Sequence, residues 1–269
     1  GNAPYKGCCA HIDFDKDTFE IYDNCGGIPW SLHDYAFRMG RPADRPRDRP
    51  GMVGTYGIGM KRAIFKMGRS CLISTKSRGD NYNVEIAPDW IKDENDWSFK
   101  VTKGDRSEED DDGTTIVIHD LHEGVASQFS DDRSSFTSDL VKKIQTHYSF
   151  IISKGFAVYV NGKLVEARPT RLIFAESDGR KKTIRPFIYR TEKEGVNVFL
   201  AVGFTRSIPG EDELRQEQEE GGKYSSLAAG WTIVCNDRAV VYCDKTELTG
   251  WGEADVPQYH TQFIAISGI

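Results

Sequence analysis

Asp23-Asn24-Cys25-Gly26-Gly27-Ile28-Pro29 sets an acidic side chain on a glycine turn, and a second glycine-rich run, Gly54-Thr55-Tyr56-Gly57-Ile58-Gly59-Met60-Lys61, follows further along the chain. An ionised carboxylate such as that of Asp23 only accepts hydrogen bonds, which suits the exocyclic amine of a purine. Glycines let main-chain amides approach a ligand, and a helix N-terminus adds unpaired N–H groups and roughly half a positive charge, which suits phosphate oxygens. One segment for a base and one for phosphates makes ATP the leading ligand, with Mg2+ expected on its phosphates. The second run is not a dinucleotide-binding fingerprint, because no strand leads into Gly54, and it is not a P-loop, because Gly-Lys-Ser/Thr is missing. Lys61 falls in the first helical turn after the run and has two readings: a phosphate contact, or an ordinary solvated helix residue.

These residues need elements to hold them. Apolar residues at 11–14 and 19–22 flank Asp15-Lys16-Asp17 and predict a β-hairpin that delivers Asp23 to a strand end. Ser31 then caps a short helix at 32–39, with Asp34 at the capping-box position. The stretch at 41–50, with prolines at Pro42, Pro46 and Pro50 and arginines at Arg41, Arg45, Arg47 and Arg49, reads as a loop whose charges Asp44 and Asp48 partly neutralise. A helix at 57–67 stops at Gly68. Strands are expected at 71–75, 82–86, 96–101 and 114–118, with an acidic loop at 107–112, and a helix at 134–152. Beyond it the pattern changes to hairpins around Asn161-Gly162, Glu192-Lys193-Glu194-Gly195 and Asn236-Asp237, with a last strand at 263–266 and an acidic, mobile loop at 211–222. The expected class is α+β: a mixed sheet layered with helices at 1–155, then a strand-rich unit at 156–269.

Composition bounds the rest. The 269 residues carry 35 basic and 41 acidic side chains, a net charge of −6, which disfavours a surface that coats nucleic acid but leaves room for a local basic groove. No apolar run approaches the roughly 20 residues that cross a bilayer, and no signal peptide is evident. The six cysteines, Cys8, Cys9, Cys25, Cys71, Cys235 and Cys243, form no CxxC pair; they read as buried free thiols of a reducing cytoplasm, without metal. Of the histidines only His119 and His122 lie close together, and both read as loop residues. Gly1-Asn2-Ala3 is compatible with a remnant of cloning.

Taken as an ordered set, the glycine segments resemble the boxes of the GHKL superfamily, which comprises gyrase B, the ninety-kilodalton heat-shock chaperone, histidine kinases and MutL-type repair proteins and has the Bergerat α/β sandwich fold. Asp23 to Ile28 resembles the D-x-G-x-G box, with Cys25 where the first glycine is usual; Gly54, Gly57 and Gly59 match G-x-x-G-x-G; Gly113-Thr114-Thr115-Ile116 resembles the third box. The resemblance implies that Asp23 and Thr114 read adenine, that Gly27 lets the base approach, that Ile28, Ile58 and Ile116 wall it, and that the run from Gly54 through Tyr56, Gly57, Ile58, Gly59, Met60 and Lys61 faces the phosphates. The arginine–proline stretch would be the ATP lid. Gly230-Trp231-Thr232-Ile233, the Asn236-Asp237-Arg238 turn and Leu248-Thr249-Gly250-Trp251-Gly252 resemble the transducer domain of the gyrase and MutL branches.

The family's catalytic glutamate, with an asparagine one turn later for magnesium, belongs on a helix before the first strand, and nothing upstream of His11 supplies that pattern. The family's transducer lysine normally follows the strand at which this sequence stops. The chain therefore reads as a nucleotide-binding core whose catalytic helix and switch loop lie outside it or whose catalysis is supplied elsewhere, and the catalytic base is unknown. Three functions compete: an ATP-driven switch that gates homodimerisation or binding of a protein or DNA client, with hydrolysis in the full-length protein; a non-catalytic nucleotide sensor; and a histidine kinase core, disfavoured because no phospho-acceptor hairpin precedes the ATP segment.

Overall fold

The alternating stretch before the first glycine turn folds as a hairpin: in the computed structural model, β1 (Cys9–Phe14) and β2 (Phe19–Asp23) pair antiparallel and Ala10 stands opposite Asp23. Asp15 Oδ1 closes the turn by accepting the backbone N–H groups of Asp17 and Thr18, each at 2.8 Å. The structure describes residues 3–38, 58–88, 98–104, 112–130, 135–168, 172, 185–204, 230–249 and 263–268. Gly54, Tyr56 and Gly57, the arginine–proline stretch, most of the acidic loop at 107–112 and the stretch at 211–222 lie outside the described residues. The chain divides into two units, Gly1–Gln145 with Ile151–Glu166, and Thr146–Phe150 with Ala167–Ile269.

In the first unit a single 3-10 turn (Trp30–Leu32) runs into α1 (His33–Phe37), and α2 (Gly59–Met67) leads into β3 (Gly68–Ser77), β4 (Asp80–Ile86), β5 (Lys100–Lys103) and β6 (Gly113–Leu121). Then come α3 (Glu123–Ser130), α4 (Phe136–His147), α5 (Ser149–Ser153), β7 (Ala157–Val160) and β8 (Lys163–Leu164). The eight strands form one mixed sheet in the order β5-β4-β3-β6-β2-β1-β7-β8, in which β7 runs parallel to β1 and the other neighbours are antiparallel.

Register explains where the core sits. One line across the sheet holds Ile12, Ile21, Ile116, Ile73, Val84 and Val101, and a second holds Phe14, Phe19, Ile118, Cys71 and Ile86. Side chains alternate between sheet faces with period two, so both lines share one face. Ile64 of α2 joins the cluster formed by Ile73, Val84, Cys71 and Ile118. Ile144 of α4 packs with Val158 and Val160, and Ile12 and Phe14 lie against that cluster. The helices thus cover one face of a mixed sheet, the expected α/β sandwich.

Several expectations need correction. Ser31 lies inside the 3-10 turn and caps nothing: neither that turn nor α1 has a side-chain cap, because Pro29 sets the entry and its carbonyl takes the Leu32 N–H at 2.8 Å. Gly68 does end α2, but in an extended conformation (φ −156°) that begins β3 at once; a Cβ there would sit 2.6 Å from the His119 carbonyl oxygen, so glycine is needed for close approach of two strands. The helix expected at 134–152 is broken at Tyr148, between α4 and α5. The sequence reading passed over α3, a short element holding a glycine and two serines. His119 lies on β6, and His122 donates from Nε2 to the Phe65 carbonyl at 3.0 Å. β7 and β8, placed by the sequence reading after the boundary at 155, belong to the first sheet.

The second unit is built on β9 (Phe187–Lys193), β10 (Val196–Phe204), β11 (Gly230–Cys235), β12 (Arg238–Asp244) and β13 (Phe263–Gly268), in the order β12-β11-β13-β10-β9 with β11 and β13 parallel. Its hairpins turn at Glu194-Gly195 and Asn236-Asp237, all in the left-handed region that two-residue turns require. His147 Nδ1 donates to the Ala239 carbonyl at 2.8 Å, and Arg238 lies over the Tyr148 ring.

Burial pushes the Cys71 thiol and the Tyr82 phenol of the first core up to about 12. In the unfolded chain these groups ionise near their ordinary values of 9.0 and 10.0, while the folded protein still holds the protons. The unfolded state then binds fewer protons, so their contribution is complete below pH 9.0 and declines as pH rises toward 12. The Tyr82 hydroxyl is buried and meets no hydrogen-bond partner among the described residues. Tyr82→Phe is therefore expected to melt at or above the wild-type temperature at neutral pH and to show a shallower alkaline decline. A lower melting temperature at neutral pH would count against this packing.

Candidate functional site

A third line across the same face holds Ala10, Asp23, Thr114, Thr75, Tyr82 and Lys103. It lies one pleat beyond the isoleucine line, at the end of the sheet where β2 gives way to the glycine turn. Hydrophobic side chains therefore hold polar ones at a fixed spacing, and strand register alone brings Asp23 beside Thr114.

Thr75 is the centre of this arrangement and was not singled out by the sequence reading. Its hydroxyl donates to the Gly113 carbonyl (3.3 Å), accepts the Ile28 N–H (2.8 Å) and meets the Thr114 hydroxyl at 3.0 Å. One hydrogen and two lone pairs are thereby used, which assigns the Thr114 hydroxyl as donor to Thr75 and leaves its own lone pairs for another group. Both threonines are buried. The signal that could have found Thr75 was a β-branched polar residue ending an apolar strand, and its partners depended on a pairing that the sequence does not display.

The turn after Asp23 is tied at several points. Asp23 Oδ1 accepts the Cys25 N–H at 2.8 Å, an Asx-turn. Asn24, also missed, stitches the turn to the chain before β1: its Oδ1 takes the Cys9 N–H at 2.7 Å and its Nδ2 donates to the Gly7 carbonyl at 2.9 Å. Gly27 has φ +63°, and a Cβ there would collide with the Lys76 carbonyl. No residue with a side chain fits that position without moving β3.

The structure thus brings Asp23, Gly27, Ile28 and Thr114 together. Ile28, Ile116 and Met60 pack against the first core cluster. Ile58 precedes α2 as its N-cap and is exposed, and Gly59 opens the helix. The first-turn amides of α2 have no partner within their own helix, the arrangement that favours an anion.

Lys61 overturns the solvated reading. It is 2% exposed, and Nζ donates to the carbonyls of Ala36 (2.8 Å) and Arg38 (2.7 Å). Burial pulls its pKa below the usual lysine value. The ammonium ties the first turn of α2 to the C-terminal end of α1 and has two of its three donors in those bonds.

The thiols differ from expectation as well: Cys71 is buried, Cys25 is exposed, and Cys8, Cys9, Cys235 and Cys243 are intermediate. No helix among the described residues is long and apolar enough to cross a membrane.

No family model matches the chain, and no curated protein matches it in sequence. Among solved structures it is similar to the ATPase region of Saccharomyces cerevisiae topoisomerase II, with a TM-score of 0.46 and 15% identity over 86% of this chain and 56% of that one. The same region bound to ICRF-187 (dexrazoxane) gives a TM-score of 0.47 and 13% identity over the same shares. The chain spans little more than half the length of those structures, and a likeness of this degree fixes no residue's role.

Thr75→Val keeps shape and removes the hydroxyl, stranding the Ile28 N–H and the Thr114 hydroxyl. The expected loss of stability is about 1–3 kcal/mol in urea unfolding, with Thr75→Ser recovering most of it. Equal stability of the valine variant would show that the hydroxyl does not hold the turn.

Proposed function

We propose that the first unit binds ATP in the manner of the GHKL type and that nucleotide state acts as a conformational switch. The observation that supports this most is the convergence, at one end of the sheet, of the Asp23 carboxylate, the Thr114 hydroxyl and the backbone opened by Gly27. On this reading Asp23 accepts the adenine amine through lone pairs not used by Cys25. Thr114 accepts from a water or from the base, and Ile28 lies along its edge. The run Gly54, Tyr56, Gly57, Ile58, Gly59 and Met60 offers main-chain amides to the phosphates at the head of α2. Lys61 fixes that helix against α1 and has one donor left for a phosphate oxygen. Mg2+ arrives on the triphosphate oxygens. Among the described residues no group of three or more His, Cys, Asp or Glu side chains is placed to hold a metal.

A switch of this kind draws its energy only from the difference between ATP and ADP affinity for its two states. We assign the strand-rich second unit a transducer-like part in reading that difference, and ATP-dependent homodimerisation or recruitment of a protein or DNA client as its outcome. Hydrolysis belongs to the full-length protein, in a reducing cytoplasm. A sensor that binds nucleotide without turnover is the companion reading, and turnover measured on the full-length protein separates the two.

The test is calorimetric. Wild-type protein is expected to bind ATP with Mg2+, whereas Asp23→Asn presents an amide that can set a donor against the adenine amine and should weaken binding by about one hundredfold. The variant should melt within a few degrees of wild type, since Asn keeps an acceptor for the Cys25 N–H. Unchanged ATP affinity in a folded Asp23→Asn protein would refute the adenine assignment.

A further inference from the structure

The residue that replaces a glycine in the Asp23 turn has a partner. Extending the β1–β2 register one pair past Ala10–Asp23 sets Cys9 opposite Asn24, and there the Asn24 N–H donates to the Cys9 carbonyl at 3.3 Å. One pair further sets Cys8 opposite Cys25, at a site where paired residues do not exchange backbone bonds. Such pairs bring Cα atoms to about 4.5 Å, inside the window that a disulfide spans. Burial first, and then the neighbouring Asp23 carboxylate and Cys8 thiol, raise the pKa of the Cys25 thiol, which sets both groups beside it. Cys25 is exposed, so an oxidant can reach the pair.

We infer that Cys8 and Cys25 form a reversible disulfide under peroxide, closing across the Asp23 turn and reducing its affinity for nucleotide. In the first step the Cys8 thiolate attacks one oxygen of hydrogen peroxide. An S–O bond forms, the O–O bond breaks, and the hydroxide that leaves takes a proton to become water. Cys25 then attacks the Cys8 sulfenic acid. An S–S bond forms, the S–O bond breaks, and the departing hydroxide takes the Cys25 proton, relayed by the neighbouring Asp23 carboxylate. Two thiols lose two electrons in all, and one peroxide becomes two waters; a dithiol reverses the change by exchange. Partial burial, and then the Asp23 charge, push the Cys25 thiol up to about 12, which suits the second role better than the first.

The bond moves the nucleotide-facing side. Cys8 is anchored by its own N–H to Tyr5 (3.0 Å) and by its carbonyl to Ala157 (3.0 Å). Cys25 is followed by Gly26 and Gly27, both at positive φ. Drawing the sulfurs to a covalent length of about 2.05 Å therefore displaces Cys25, and with it the backbone N–H that Asp23 accepts.

This consequence for affinity rests on the ATP reading, but the thiol chemistry does not, so two readouts are taken on the whole chain. After hydrogen peroxide, tryptic peptides 7–16 and 17–38 are expected to be joined in wild type and in Cys9→Ser, separate in Cys8→Ser, and separate again after dithiothreitol. Thiols that stay free for alkylation after peroxide, or a link that persists in Cys8→Ser, would overturn the pair. In calorimetry the oxidised wild type should bind ATP about tenfold or more weakly, while Cys8→Ser responds little to peroxide. A joined peptide with unaltered ATP affinity would overturn the regulatory part. Failure of the reduced wild type to bind ATP would sink the nucleotide reading and the claimed effect on affinity, and the joined peptide would still decide the pair.

Discussion

The hydroxyl of Thr75 makes three bonds from a buried position, and the candidate site hangs on their joint satisfaction. Through Gly113 and Thr114 it reaches β6, and through the Ile28 N–H it reaches the chain that leaves the glycine turn. A buried N–H without a partner costs about as much as several such bonds contribute net, so the turn has a single low-energy seat against β3. Gly27 makes that seat accessible, because its missing Cβ is what lets the turn lie on the Lys76 carbonyl. Asp23 is then fixed from both sides, by β-sheet register on one and by the seated turn on the other.

A comparable constraint acts on the helical side. α1 has five residues and no side-chain cap, too little to be stable alone. Its last carbonyls need donors, and Lys61 supplies two from the next helix. A buried ammonium is tolerable only when hydrogen-bonded, and carbonyls at a helix C-terminus carry the partial negative charge that suits it. The same bonds fix the first turn of α2, whose free amides point out of the helix end. One lysine thus steadies a short helix and orients the neighbouring helix N-terminus, without needing solvent at all.

Much of this was legible in the sequence, for physical reasons that differ by element. The hairpins were clear because a two-residue turn at positive φ demands residues such as those at Asn161-Gly162 and Asn236-Asp237. Asp23 and Thr114 stood out in the sequence through their glycine neighbours. The ladder that places them side by side was hidden, because it joins strands distant in sequence, and Thr75 was hidden with it. The burial of Lys61 was hidden because helical position gives no information on burial when the covering element, α1, comes from elsewhere in the chain. Ser31 was misread because Pro29 settles the local backbone before any cap can form. The break at Tyr148 went unseen because the apolar spacing at 134–152 continues across it.

The Cys25 position shows how a departure from a glycine pattern can be absorbed. The backbone N–H at this position closes the Asx-turn on Asp23, a bond that glycine would supply equally. The acidic group is thereby oriented by the turn itself. Cysteine adds a thiol whose ionisation is opposed by burial and then by the Asp23 charge. A turn built this way couples the Asp23 carboxylate to a neighbouring sulfur, whereas a glycine at the same place would leave the carboxylate without that neighbour.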